Sequence, residues 1–376
     1  MKARDVAAEL RRSLDLQPVL VPLLAIVLAF LTGALVILAI GSNPVDAYTA
    51  LVRGMYGSSD RIAGSLGRST PFIGAALAVG FAFRAGLFNI GAEGQLLVGA
   101  TAAAWVGTWS SVRGLPGIVA IPVLLLAGVV AGGLYGGIPG ALKARTGAHE
   151  VIVTIMLNAI ALLYVRWLVS SQDPLILRDP AATVPRTSRI DDSARLPDLV
   201  SSTPLHWGFV IMVALAVLVW FLLQRTTFGF EVRTVGANAD AARYAGMGVG
   251  RTIVLTMALA GAFAGLAGAG EISGTSGYLS PGVFVNIGFD SIAIALLARA
   301  NPFAIIPAAI LWGSMLSGAG LMQQEVGVSI DIVRIVLALV LLFVAADVIV
   351  RTVFRIRKER ANALDTTDLA GGWGQT

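Results

Sequence analysis

Cysteine is absent from this 376-residue chain. That excludes a disulfide framework, thiol catalysis and any cysteine-ligated metal, and it leaves the redox compartment open. Histidine is nearly as scarce: His149 and His206 stand too far apart in sequence to suggest a metal cluster. Charged residues make up only 13% of the chain. No Gly-x-x-x-x-Gly-Lys-Ser/Thr loop, His-Glu-x-x-His pair or Gly-x-Ser-x-Gly turn occurs. The chain therefore offers no phosphate cradle, zinc-protease site or nucleophile elbow. Neither catalysis nor a resident cofactor is expected of it.

What is present is apolar. Hydrophobic residues reach 56% and the mean hydropathy is +0.82. No soluble domain keeps so apolar a surface dispersed, whereas one polytopic, all-α transmembrane bundle accommodates the length. The 43 glycines fit, because small residues let membrane helices approach closely. The net charge of +5 does not point to nucleic acid, since the basic residues gather at the ends of apolar runs.

The runs suggest about ten spans, near 19–40, 70–83, 87–109, 115–140, 150–170, 207–223, 252–271, 287–300, 303–321 and 331–350. The second and eighth are short enough to be tilted, broken or only partly crossing. Val19–Ile40 is too long for a signal-peptide core and reads as a retained first span. With the N-terminus inside, most of the 27 basic residues fall on the inner side, among them Lys2, Arg4, Arg11, Arg12, Lys143, Arg145 and Arg351. That bias places both termini in the cytoplasm. Residues 1–18 then form an inner N-terminal segment, 19–350 the membrane domain and 351–376 an inner tail. The longest outer connection is 171–204 and the longest inner one 224–250.

Several polar groups interrupt the apolar pattern. Asn89, Glu93 and Gln95 lie within Gly86–Gln95, at the start of a span, and a helix would put Asn89 and Glu93 on one face. Such groups either satisfy one another inside the bundle or line a transport route. Glu150, Thr154 and Asn158 recur every four residues in the fifth span, with the same two readings open. Glu150, near the inner end, can also snorkel into the interface. Asp290 can pair with a basic residue, cap its helix or touch substrate, with capping or pairing favoured, and Glu271 and Asp331 are expected to serve hydrated structural roles at span ends. Asp347 and Arg351 have ion-pair spacing. Gly128, Gly132, Gly136 and Gly140, with Gly261, Gly265 and Ala269, form small-residue stripes that predict close helix contacts. Asp240, Ala241, Ala242, Arg243 and Gly246 read as a short helix with an acidic start and a glycine stop.

Gly86–Gln95, Glu150–Asn158 and Gly288–Pro302 together resemble the permease subunits of bacterial ABC importers of the branched-chain amino acid and simple-sugar type, most nearly those for nucleosides. The run from Arg233 to Gly246 is similar to the loop that couples such permeases to their ATPase. It has Asp240 where the family's coupling pattern begins with Glu, and the downstream Ile-x-Leu-Pro part is absent around Thr256–Leu259. The resemblance implies a multi-pass subunit in the bacterial inner or plasma membrane, surrounded by lipid. ATP and Mg would sit on a separate cytoplasmic ABC ATPase, contacted through Asp240, Ala241, Ala242, Arg243 and Gly246. A second, related permease and an external substrate-binding lipoprotein would complete the importer. Asn89, Glu93, Gln95, Thr154 and Asn158 would line the nucleoside route. Simple sugars and branched-chain amino acids are alternative cargoes, and an ion-coupled secondary transporter using Glu93, Glu150 and Asp290 is a rival mechanism.

Overall fold

Apolar runs wind into helices throughout the computed structural model, which describes residues 17–174, 176–282, 284, 286–346 and 353–354. The Asp347–Arg351 pair, nearly all of the N-terminal segment and nearly all of the tail lie outside the described residues. In chain order the helices are α1 (Gln17–Ala39), α2 (Pro44–Tyr56), α3 (Ser59–Arg84), α4 (Ala92–Gly107), α5 (Gly117–Thr146), α6 (Glu150–Ser170) and α7 (Gly208–Arg225). There follow α8 (Thr227–Ala237), α9 (Ala239–Tyr244), α10 (Val249–Glu271), α11 (Ile287–Leu297), α12 (Pro302–Val326) and α13 (Ile330–Ala345). A π turn, Ile272–Ser276, extends α10. Among the described residues no strand forms beyond isolated bridges.

Among the described residues six helices, α3, α5, α6, α7, α10 and α12, are long and apolar enough to cross a membrane. Leu23–Ala39 and α11 are shorter apolar helices. The described residues form an all-helical, multi-pass membrane protein. It divides into two compact units, one of residues up to Leu35 and from Ile335, the other of Val36–Arg334. In the first, Leu20, Leu23, Val27, Leu31 and Leu35 form an exposed apolar stripe at helical spacing, suited to lipid. The second holds every candidate residue described below.

Its central helix is α3, 83% buried along its apolar window, against 22% for α5 and 28% for α6. It packs on α7, α10, α11 and α12. The expected second span, 70–83, is therefore too short: α3 starts at Ser59. Its first half reads as a loop because Ser65, Ser69 and Thr70 are polar. In the fold these hydroxyls bond to carbonyls, Ser69 Oγ to Ser65 O at 2.7 Å and Thr70 Oγ1 to Leu66 O at 3.2 Å, so no polar group is left bare. The amphipathic α2, capped by Asn43 and opened by Pro44, falls where the sequence suggested only a connection.

The glycine stripes do meet. A Cβ on Gly128 would lie 2.5 Å from Ala269 Cβ, and one on Gly132 2.7 Å from Gly265 Cα, so α5 and α10 touch backbone to backbone. Gly132→Ala is expected to lower stability by roughly 1–3 kcal/mol through overpacking. Gly137→Ala, where a new Cβ meets nothing closer than Ala258 Cβ at 3.8 Å, should be neutral or slightly stabilising. Thermal unfolding in detergent, followed by tryptophan fluorescence, distinguishes the two.

Candidate functional site

Between α3 and α4 the chain leaves the helix. Gly86, at φ +70°, turns it, and Phe88–Gly91 run without regular structure up to the first residues of α4. A break of this kind frees backbone donors and acceptors that must find partners away from water. Asn89 and Gln95 supply some of them. Both are buried, with Asn89 Nδ2 donating to Gln95 Oε1 at 2.9 Å and Gln95 Nε2 donating back to Asn89 Oδ1 at 3.2 Å. Asn89 Oδ1 also accepts from Gly91 N. The expected common helical face of Asn89 and Glu93 does not exist, because Asn89 precedes the helix.

Asn158 on α6 fastens the same turn from the side. Its Oδ1 accepts from Gly94 N at 2.8 Å and its Nδ2 donates to Ile90 O at 2.9 Å. Thr154, one turn earlier, is buried with its hydroxyl on Glu150 O. Glu150 does not snorkel. It is buried, pairs with Lys143 Nζ at 2.5 Å and accepts from Phe88 N.

Glu93 points away from this cluster. Its carboxylate accepts from Asn286 N at 3.0 Å and Gly288 N at 2.5 Å, at the start of α11, which has no side-chain cap of its own. An anion placed on free helix N–H groups is favoured both by hydrogen bonding and by the helix dipole. Gly288 lies so close to the Glu93 backbone that a Cβ there would overlap it.

Two cavities flank the first turn of α11. One, of about 320 Å³, is a mainly apolar groove where Glu93, Asn158 and Asn286 join Ile155, Phe284 and Phe289. Glu93 and Asn158 thus reach open space, whereas Asn89, Gln95 and Thr154 are not among its lining. The other, of about 300 Å³, is polar, with Arg68, Glu271, Thr275, Asp290, Ser317 and Arg334 in its wall. Asp290, expected to cap or pair, faces this cavity. Sequence reasoning missed it as a unit, since its groups come from distant helices and share no motif. Scattered charges at span ends were the only available signal.

His206, in the segment before α7, is buried against Gly274 of the π turn, where a Cβ would overlap the ring. Its Nδ1 accepts from Gly208 N at 3.0 Å, which assigns the neutral ring's proton to Nε2, 3.3 Å from Thr275 Oγ1. Burial pushes this histidine down to about 4, with Asp198 opposing and Arg195 assisting. Since the unfolded chain protonates near 6.5, it binds more protons than the folded chain between about 6.5 and 4. Stability is complete above that window and falls through it on acidification, by up to about 3 kcal/mol.

On the inter-helix segment after α7, Asn238 caps α9 by accepting from Asp240 N and Ala241 N, and Gly246 at φ +81° ends the turn. Ala242 is buried against Val235 and Val249. Asp240 and Arg243 pair at 3.0 Å on the exposed face, beside a Tyr244 that is 94% exposed. Sequence reasoning missed Tyr244.

A comparison of thermal stability between pH 7 and pH 4.5 for the unmodified protein and His206→Gln checks the histidine. The variant is expected to lose much of the acid dependence.

The branched-chain amino acid transport system / permease component family matches residues 61–345. The guanosine ABC transporter permease protein NupP of Bacillus subtilis is 43% identical over 92% of this chain and 99% of its own. The nucleoside ABC transporter permease protein NupB of Lactococcus lactis is 36% identical, over 88% and 92% respectively. The glucose ABC transporter permease protein TsgB13 of Haloferax volcanii is 34% identical over 86% of each chain. No solved structure gives a significant match. With its six long apolar helices and a match along most of its length, the chain belongs to the permease family of branched-chain amino acid-type ABC transport systems.

Proposed function

We propose that this chain is a transmembrane subunit of an ATP-driven importer and that its cargo is a nucleoside. The observation that carries the cargo is the likeness, along nearly the whole of both chains, to relatives named for guanosine and for nucleosides. The relative named for glucose supports sugars as a second reading. In this account both termini are cytoplasmic, about ten segments span the bacterial inner or plasma membrane, and 171–204 is external. An external binding lipoprotein delivers cargo there, and a related second permease completes the pathway.

ATP and Mg belong to a cytoplasmic ABC ATPase that meets α9. Support for this comes from the helix's build. Ala242 roots it on Val235 and Val249, while Asp240, Arg243 and Tyr244 project outward. An exposed aromatic flanked by charge suits insertion into a partner's cleft. The groove of Glu93, Asn158 and Phe289 would form one wall of the route. Asn89, Gln95 and Thr154 would act by holding that wall in shape rather than by touching cargo. ATP binding then shifts the permease between states only through different contacts in each.

Co-purification of the tagged chain with its ATPase from mild detergent tests the coupling assignment. Tyr244→Ala should weaken ATPase retention by about tenfold or more, the scale of an interface anchor, with the permease itself still folded. Undiminished retention would exclude α9 as the anchor.

A further inference from the structure

The polar cavity beside α11 lies across the first turn of that helix from the groove assigned to the route. Its lining carries two guanidinium groups, Arg68 and Arg334, and two carboxylates, Glu271 and Asp290, and Arg334 also pairs with Asp331 at 3.1 Å. The arginines are exposed, whereas the carboxylates are half-buried. Hydroxyls come from Thr275 and Ser317, and apolar surface from Phe72 and Ile287. At about 300 Å³ the cavity sits at the small end of small-molecule sites, which run from about 300 to 1,000 Å³.

We propose that this cavity is a binding chamber for an uncharged, polyhydroxylated ligand, a nucleoside rather than a nucleotide. The assignment rests on the nucleoside-import reading above. Carboxylates accept hydrogen bonds from vicinal hydroxyls, guanidinium groups donate to the ring nitrogens and carbonyls of a base, and Phe72 offers an apolar face to its ring. A phosphate group would bring a double negative charge beside Glu271 and Asp290, into a lining whose two arginines are matched by two carboxylates. The cavity therefore selects against phosphorylated cargo.

Its position adds a second argument. The first turn of α11 is shared, with Asn286 and Phe289 on the apolar groove and Ile287 and Asp290 on the polar cavity. Glu93 pins that turn through Asn286 N and Gly288 N. Groove and chamber are thus two compartments with a single turn between them. Asn286 with Phe289, and Ile287 with Asp290, are spaced three apart, so each pair shares one side of the turn.

Gly64 makes the test clean. It lines the chamber, and a Cβ built on it meets no atom within 4 Å. Gly64→Leu therefore starts into open space and carries bulk beyond that Cβ, whereas Gly64→Ala adds the Cβ alone. The assay is ATP-driven uptake of radiolabelled guanosine by the complete importer in proteoliposomes, alongside the ATPase rate stimulated by loaded binding protein. Gly64→Leu, by occupying the space, and Asp290→Asn, by removing a charged acceptor, should each raise the half-saturating guanosine concentration or lower uptake about tenfold or more, for Asp290→Asn the scale of a lost hydrogen bond to a charged group. Stimulated ATPase should stay within about twofold of the unmodified importer, and Gly64→Ala should transport normally. Uptake by both altered importers within about twofold of normal overturns the chamber while leaving the cargo reading standing. An unmodified importer that moves glucose but no nucleoside overturns the cargo reading and, with it, the nucleoside assignment.

Discussion

A backbone that leaves the helix inside a membrane must have every freed N–H and C=O satisfied by the protein, because lipid offers no partner. Much of the candidate site follows from that constraint. The break at Phe88–Gly91 would be untenable without Asn89, Gln95, Asn158 and Glu150, each bonded to a backbone group or to another member of the set. The start of α11 is a second break, and Glu93 answers it from another helix. Residues that look like transport ligands in a linear reading are thus first of all the means by which irregular backbone persists at depth. Irregular backbone in turn creates the cavities.

Close packing carries the rest of the scaffold. The glycine seam between α5 and α10 lets those helices touch, and the long π-extended α10 brings Gly274 beneath His206. That contact ties the 178–206 segment to the wall of the polar cavity: Thr275 lies beside both the histidine ring and Glu271. A displacement of the segment has a direct physical path to the chamber through that neutral ring. The part-buried Lys143–Glu150 pair, which also holds Phe88 N, plays the comparable part where α5 meets α6.

Helices, glycine contacts and the short α9 were legible because their signals are local: apolar length, spacing by four, and an acidic start with a glycine stop. The start of α3 was not, since Ser65, Ser69 and Thr70 look like loop residues until their hydroxyls are seen bonded along the helix. The shared face of Asn89 and Glu93 failed for a related reason. Periodicity assumes a helix, and Gly86 had already broken it. The polar cavity was illegible in principle, for Arg68, Glu271, Asp290 and Arg334 are brought together only by tertiary packing. Tyr244 was passed over because a lone tyrosine beside alanines carries no signal until its exposure is known.

The central claim, an ATP-powered nucleoside permease, is tested most directly by the energy source of uptake. Proteoliposomes holding this chain with its partner permease and ATPase, supplied with loaded binding protein, should accumulate guanosine when ATP is present on the ATPase side and not when an ion gradient alone is imposed. Accumulation by this chain alone, driven by a proton or sodium gradient and indifferent to ATP, would contradict the account.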